Sequence, residues 1–113
     1  MGLVQVATNT VTSAVASITL TGINSDDVYL VAMNNILPDT DNGQIRLRVT
    51  TSGTADTSNN YDRAHTVLWS SNTFADVYTQ NGSYWGYNQN GTGTGESQNG
   101  IMYLFDFGKR SRF

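Results

Sequence analysis

Short segments of alternating apolar and polar residues make up most of this chain, and turns rich in Gly and Asn separate them. Residues 44–51 show the clearest pattern, because Ile45, Leu47 and Val49 alternate with polar side chains. A period of two predicts a β-strand with one face in a core and the other facing solvent or a partner. No segment of normal helix length repeats its apolar residues every 3.6 positions. The sequence therefore predicts an all-β fold.

Further strands are predicted in five segments of the chain. The run at residues 28–33 is almost continuously apolar, which is typical of an inner strand covered on both faces. The Asn42-Gly43 pair before residues 44–51 favours a hairpin turn, although the connection at residues 38–43 is longer than two residues. The five segments are residues 15–23, 28–33, 61–68, 74–79 and 101–107.

Six or so short strands of this kind predict an antiparallel β-sandwich that resembles a jelly roll. A chain of 113 residues forms one domain at most. We expect an N-terminal arm at residues 1–14, the sandwich at residues 15–108 and a basic tail at residues 109–113. A jelly roll needs about eight strands. The sandwich is therefore smaller, is completed by a neighbouring chain, or continues beyond Phe113.

Composition excludes several classes of function. The net charge of −3 argues against general nucleic-acid binding, which requires clustered basic residues. Without cysteine there are neither disulfides nor thiolate metal sites. The first residues lack the pattern of a signal peptide, and no apolar run approaches the ~20 residues that cross a bilayer. The basic cluster Lys109, Arg110 and Arg112 predicts a solvated tail, with contact to a phosphate or an acidic partner as the alternative.

Catalytic and metal-binding motifs are also missing from the sequence. His65 is the single histidine, and Asp62, three residues away in a strand, would face the opposite side. Residues 39–43 fail the calcium-loop pattern at later positions, and residues 91–95 lack the lysine of a phosphate loop. We therefore expect no enzymatic activity, no metal and no cofactor.

Aromatic residues supply the best candidate binding site. They lie in or near residues 78–99, a segment rich in Asn and Gly that is predicted to be a display loop. Aromatic rings beside amides suit a sugar, a protein interface or local packing, and the sequence leaves these three uses open. The candidate residues are Trp69, Tyr84, Trp85 and Tyr87, together with Arg46 and Arg48 on the polar face of residues 44–51.

A set of segments, in a fixed order and spacing along most of residues 14–108, carries a resemblance to a known family. They are residues 16–23, Asp27-Val28-Tyr29, Ile45-Arg46-Leu47-Arg48, residues 51–57, Asn60-Tyr61-Asp62, residues 93–96 and residues 99–105. In these segments the chain resembles virion structural proteins of tailed phages, especially those of marine and cyanobacterial hosts.

The resemblance implies a non-enzymatic subunit of the virion: a capsid decoration protein, a tail component or a fibre module. Its expected partners are copies of itself and other virion proteins, and it is expected to be made in the host cytoplasm. Contacts are expected from the face with Arg46 and Arg48 and from the loop at residues 81–95. A carbohydrate- or receptor-binding module of a fibre, acting on a host-surface glycan, is the alternative. Members of the family continue with several more strands after the segment that matches residues 101–107.

Overall fold

The computed structural model describes residues 2–23 and 28–105, apart from the side chains of residues 87 and 88. This part of the chain contains strands and turns and no helix, so it has no helical segment that could cross a membrane. The strands are β1 (Tyr29–Ile36), β2 (Gly43–Leu47), β3 (Thr50–Thr51), β4 (Thr54–Ala55), β5 (Tyr61–Leu68), β6 (Phe74–Gly82), β7 (Trp85–Asn90) and β8 (Gln98–Leu104).

The eight strands pair two by two, and the pairs are nested along the sequence. Strand β1 pairs with β8 and β2 with β7, while the hairpins β3–β4 and β5–β6 lie between β2 and β7 in sequence. The β1–β8, β3–β4 and β5–β6 pairs are antiparallel. The predicted antiparallel all-β class is therefore confirmed, and the packing of sheets into a sandwich stays a prediction.

Contacts group the chain into two compact units. The first unit combines Met1–Asn42 with Asn90–Phe113 and contains the β1–β8 sheet. Among the described residues of this unit the most buried is Leu104, which is 4 % exposed and pairs with Tyr29. The side chains at alternate positions of both strands point to the face of the sheet opposite Leu104, and these side chains are exposed. The prediction that residues 28–33 are covered on both faces is therefore wrong within the described residues, because β1 and β8 form a two-stranded sheet.

The second unit is Gly43–Gln89, and the β5–β6 hairpin is its longest element. This hairpin runs from the pair Leu68 and Phe74 to the pair Tyr61 and Gly82, with an irregularity after Tyr61. The strands predicted at residues 61–68 and 74–79 are thus confirmed, and β6 continues further. Along residues 44–49 the predicted alternation is also confirmed, with the apolar positions half-buried and the arginines exposed.

The strand predicted at residues 15–23 is not formed. Residues 2–22 are exposed, and none of residues 2–23 belongs to a strand. A strand needs a neighbour for its backbone N–H and C=O groups, and the described residues supply none here. The segment bends back on itself instead, so that Val6 lies beside Gly22. A Cβ atom added at Gly22 would be only 2.7 Å from Val6 Cγ1.

Two predictions about turns and loops are also wrong. Asn42-Gly43 does not form a hairpin, because β1 and β2 pair with β8 and β7 rather than with each other. The predicted display loop at residues 78–99 consists largely of strand, since β6, β7 and β8 all enter it. The tight hairpin forms instead at Ser52-Gly53, where φ is 51° and 80° respectively. Positive φ at both central residues is what a two-residue type I′ turn requires.

Replacing Gly53 with Ala should destabilise the β3–β4 hairpin by about 1 kcal/mol, because a Cβ atom disfavours positive φ. No neighbouring atom lies within 4 Å of the new Cβ, so the effect comes from the backbone alone. The matched control is Gly2→Ala, which is equally open and does not have a positive φ. Urea unfolding measures both changes, and equal stability of the two variants would contradict the assignment of this turn.

Candidate functional site

Tyr84 lies at the centre of the candidate site, in the short connection between β6 and β7. Three guanidinium carbons lie close to the centre of its ring: Arg46 at 4.5 Å, Arg63 at 5.5 Å and Arg48 at 5.7 Å. All three distances are within the range of cation–π attraction. These four residues are called the arginine–tyrosine site below.

The arginines reach the ring from two separate strands of the second unit. Arg46 lies in β2 and Arg48 directly follows it, so the period of two places both on the exposed row. Arg63 lies in β5, on the half-buried row that also contains Tyr61. The polar face predicted from residues 44–51 therefore covers an aromatic ring and adjoins a third cation.

Hydrogen bonds orient two of the arginines and the tyrosine. Arg48 Nε donates to the Ser83 carbonyl oxygen at 2.9 Å, and Arg63 Nε donates to Thr79 Oγ1 at 3.3 Å. The Tyr84 hydroxyl donates to Gln44 Oε1 at 3.4 Å. Both arginine contacts use Nε, so the terminal amino groups of these side chains are left to bind elsewhere.

The charge at this site is unbalanced. The arginine–tyrosine site contains every Arg and Lys that occurs in residues 2–23 and 28–105. None of the three forms an ion pair with a carboxylate of the described residues. Asp62, which is next to Arg63 in sequence, instead accepts a hydrogen bond from the Asn81 backbone at 2.7 Å. The three positive charges of the site thus have no bonded carboxylate among the described residues.

Gly86 provides the space in which Arg63 and Tyr84 meet. A Cβ atom at this position would lie 2.7 Å from Arg63 Nη1 and 2.9 Å from Tyr84 Cε2. Such distances are shorter than van der Waals contact, so any larger residue moves one or both side chains. The geometry of the site consequently depends on a glycine in β7.

Tyr61 and Trp85 pack together and support the site from the same unit. Their ring centres are 4.7 Å apart in an edge-to-face arrangement, and Trp85 Nε1 donates to the Asp62 carbonyl oxygen at 3.0 Å. The Tyr61 hydroxyl accepts from the Val49 N–H at 3.1 Å and donates to the Asp56 carbonyl oxygen at 2.9 Å. Trp85 thus packs within the second unit, and a binding role for it stays a prediction.

The remaining candidate residues do not join this arrangement. Trp69 is half exposed in the turn after β5, where its backbone N–H donates to the Thr73 carbonyl oxygen. The extended strand β5 separates it from Tyr61 by about 26 Å, at the usual rise per residue. Tyr87 belongs to β7, and its side chain lies outside the described residues. His65 and Asp62 lie on opposite rows of β5, as their spacing predicts.

The sequence did not single out Arg63 of the arginine–tyrosine site, nor Tyr61 and Gly86, which lie beside the site. A charged residue two positions after Tyr61, on the same row of a predicted strand, was the available signal for Arg63. Tyr61 entered the sequence analysis as part of the strand at residues 61–68 and of the segment Asn60-Tyr61-Asp62, without a role in a site. Gly86 carried no signal, because its importance comes from side chains on other segments.

The described residues contain no group of three or more His, Cys, Asp or Glu side chains that could hold a metal ion. No protein-family model, curated protein or solved structure matches the chain. The resemblance to phage virion proteins accordingly remains a prediction.

Proposed function

We propose that the chain is a non-enzymatic structural subunit, as in a tailed-phage virion, that assembles with copies of itself through one face of the β1–β8 sheet. This outer face consists of apolar side chains, most of them large, on alternate positions of both strands and just beyond their ends. Its members are Val28, Leu30, Ala32, Ile101, Tyr103 and Phe105.

The exposure of the outer face carries the proposal. Ile101 is 68 % exposed, Tyr103 58 % and Phe105 52 %. Strands usually turn such residues inward. The Tyr103 and Phe105 rings stack with centres 6.4 Å apart, which forms a continuous aromatic surface. A two-stranded sheet alone is marginally stable in water, so covering this face would stabilise the first unit.

The area of the outer face is large enough for association with a second copy. Aromatic side chains bury roughly 150–250 Å² each, and together with the smaller aliphatic members, at these exposures, the face offers on the order of 500 Å². Two copies packed face to face would then bury about 1,000 Å², close to the lower limit for a specific interface. Sheets pack in this way at a separation of about 10 Å, and a two-fold axis allows the same face to meet itself. The neighbouring copy would thereby supply the second layer of the predicted sandwich.

The carbohydrate-binding alternative has less support. It needs exposed rings close together, and Trp69 lies far along β5 from the other aromatic residues. Three guanidinium groups surround the Tyr84 ring, and Trp85 packs against Tyr61. A neutral sugar therefore has no broad aromatic platform among the described side chains of the second unit.

Replacing Ile101 with Lys should weaken self-association at least about tenfold, because association would bury an unpaired charge. Sedimentation velocity over a concentration series measures the effect. The matched control is Gln80→Lys, which adds the same charge to an exposed position of β6 and should leave association unchanged. A wild-type chain that stays a well-folded monomer at high micromolar concentration would overturn the proposal. Equal weakening by both variants would show that the outer face is not the interface.

A further inference from the structure

The three guanidinium groups of the arginine–tyrosine site gather around one aromatic ring. Each carbon lies within 5.7 Å of the ring centre. No two of the three carbons are therefore further apart than twice that distance. The charges repel one another, and a bound anion would relieve that repulsion.

Hydrogen-bond donors remain available at this site. A guanidinium group has five N–H donors in a planar fork. Arg48 and Arg63 each use Nε in a bond that fixes the side chain, and Arg46 makes no hydrogen bond to the described residues. The terminal amino groups of all three have no acceptor among the described residues. Donors fixed in this manner favour binding, since less side-chain entropy is lost when a ligand arrives.

The number of donors indicates the chemical class of the ligand. One guanidinium fork bonds both oxygens of a carboxylate and balances its single charge. Three forks offer more charge and more donors than a carboxylate can use. A tetrahedral dianion has three or four oxygen atoms and two charges, and arginine clusters are the usual protein partners of such groups.

We propose that Arg46, Arg48 and Arg63 form a binding site for a phosphate or sulfate group, and that Tyr84 positions the three side chains. The cation–π contacts hold the guanidinium groups around the ring while their terminal amino groups bind the oxygen atoms of the ligand. Gly86 is a positioning residue, because it leaves room for Arg63 beside the ring. The site lies in the second unit and does not depend on association through the outer face.

Titration of the chain with sodium sulfate and with inorganic phosphate, at constant ionic strength maintained by sodium chloride, tests the proposal. The NMR signals of the arginine Nε–H groups should shift saturably for these three residues. Arg46→Gln should weaken binding by about tenfold or more, because it removes hydrogen bonds to a charged group. Arg46 is exposed, so this variant should fold normally. Lys109→Gln, which removes the same charge at a position outside the described residues, should bind as tightly as the wild type.

Gly86→Ala separates geometry from charge, because it retains all three arginines and displaces Arg63 or Tyr84. It should weaken sulfate binding severalfold. Sodium acetate, a monovalent carboxylate, should bind far more weakly than sulfate at the same ionic strength. Acetate binding equal to sulfate binding would overturn the assignment of a dianion. Shifts that follow ionic strength alone, or equal losses in Arg46→Gln and Lys109→Gln, would show that no specific site exists.

Discussion

Replacing Tyr61 with Ala is expected to destabilise the second unit by about 3–5 kcal/mol, the usual cost of removing a buried aromatic side chain. Tyr61 is 3 % exposed, and its ring contacts Trp85 edge-to-face. The hydroxyl also joins Val49 to Asp56, which are bonded to each other through the Asp56 N–H and the Val49 carbonyl oxygen at 2.8 Å. Loss of the side chain thus leaves a cavity and frees the base of the β3–β4 hairpin.

Tyr61→Phe is the matched control for this substitution. It retains the ring and removes the hydroxyl, so the Val49 N–H and the Asp56 carbonyl lose a partner at a cost of about 1–3 kcal/mol. Urea unfolding followed by fluorescence measures both variants, and a Trp69→Phe background makes Trp85 the sole indole reporter. A smaller effect of Ala than of Phe would contradict the anchoring role of the ring.

The second large effect is expected from Leu104→Ala, which should destabilise the first unit by about 2–5 kcal/mol. Leu104 is the most buried residue of the β1–β8 sheet, and it pairs with Tyr29 at one end of the strands. Truncation of Leu104 removes apolar contacts from a small unit that contains few buried side chains. Amide hydrogen exchange at Val31 and Met102, which pair in the middle of the sheet, measures the change.

Ile101→Ala provides the comparison for Leu104→Ala, because it removes a similar side chain from the outward row of the same strand. Measured at a concentration where the chain is monomeric, it should cost less than about 0.5 kcal/mol, as exposed substitutions usually do. Equal exchange rates in the two variants would contradict the inward and outward rows described for β8.

Local patterns in the sequence predicted the elements whose formation depends on local residues. The alternation at residues 44–49 and 61–68 is visible within each segment, and both segments are strands or extensions of strands. Residues 15–23 show the same alternation and form no strand, because a sequence pattern does not reveal whether a partner strand is present. The pairing of β1 with β8 joins segments that are far apart in sequence and has no local signal.

The site was predictable to a similar extent. Arg46 and Arg48 were identified as one face because two residues of a single strand define it. Arg63 and Gly86 were not, because they approach Tyr84 from β5 and β7. Trp69 and Trp85 could not be distinguished by residue type. In the structure Trp85 lies at the Tyr61 end of β5, and Trp69 follows the other end. The distance between the two rings therefore depends on the position of the turn between β5 and β6, which residue type does not reveal.

The nested pairing of the strands also has a consequence for synthesis on the ribosome. The strands of the hairpins β3–β4 and β5–β6 can pair as soon as they emerge, since their partners are neighbours in sequence. Strand β1 must wait for β8 while about 60 further residues are added, which takes roughly 3–12 s at common elongation rates. During that interval its backbone edge is open to nascent chains on the same messenger RNA. Slower elongation should therefore lower the yield of folded protein by prolonging the time in which β1 can pair incorrectly.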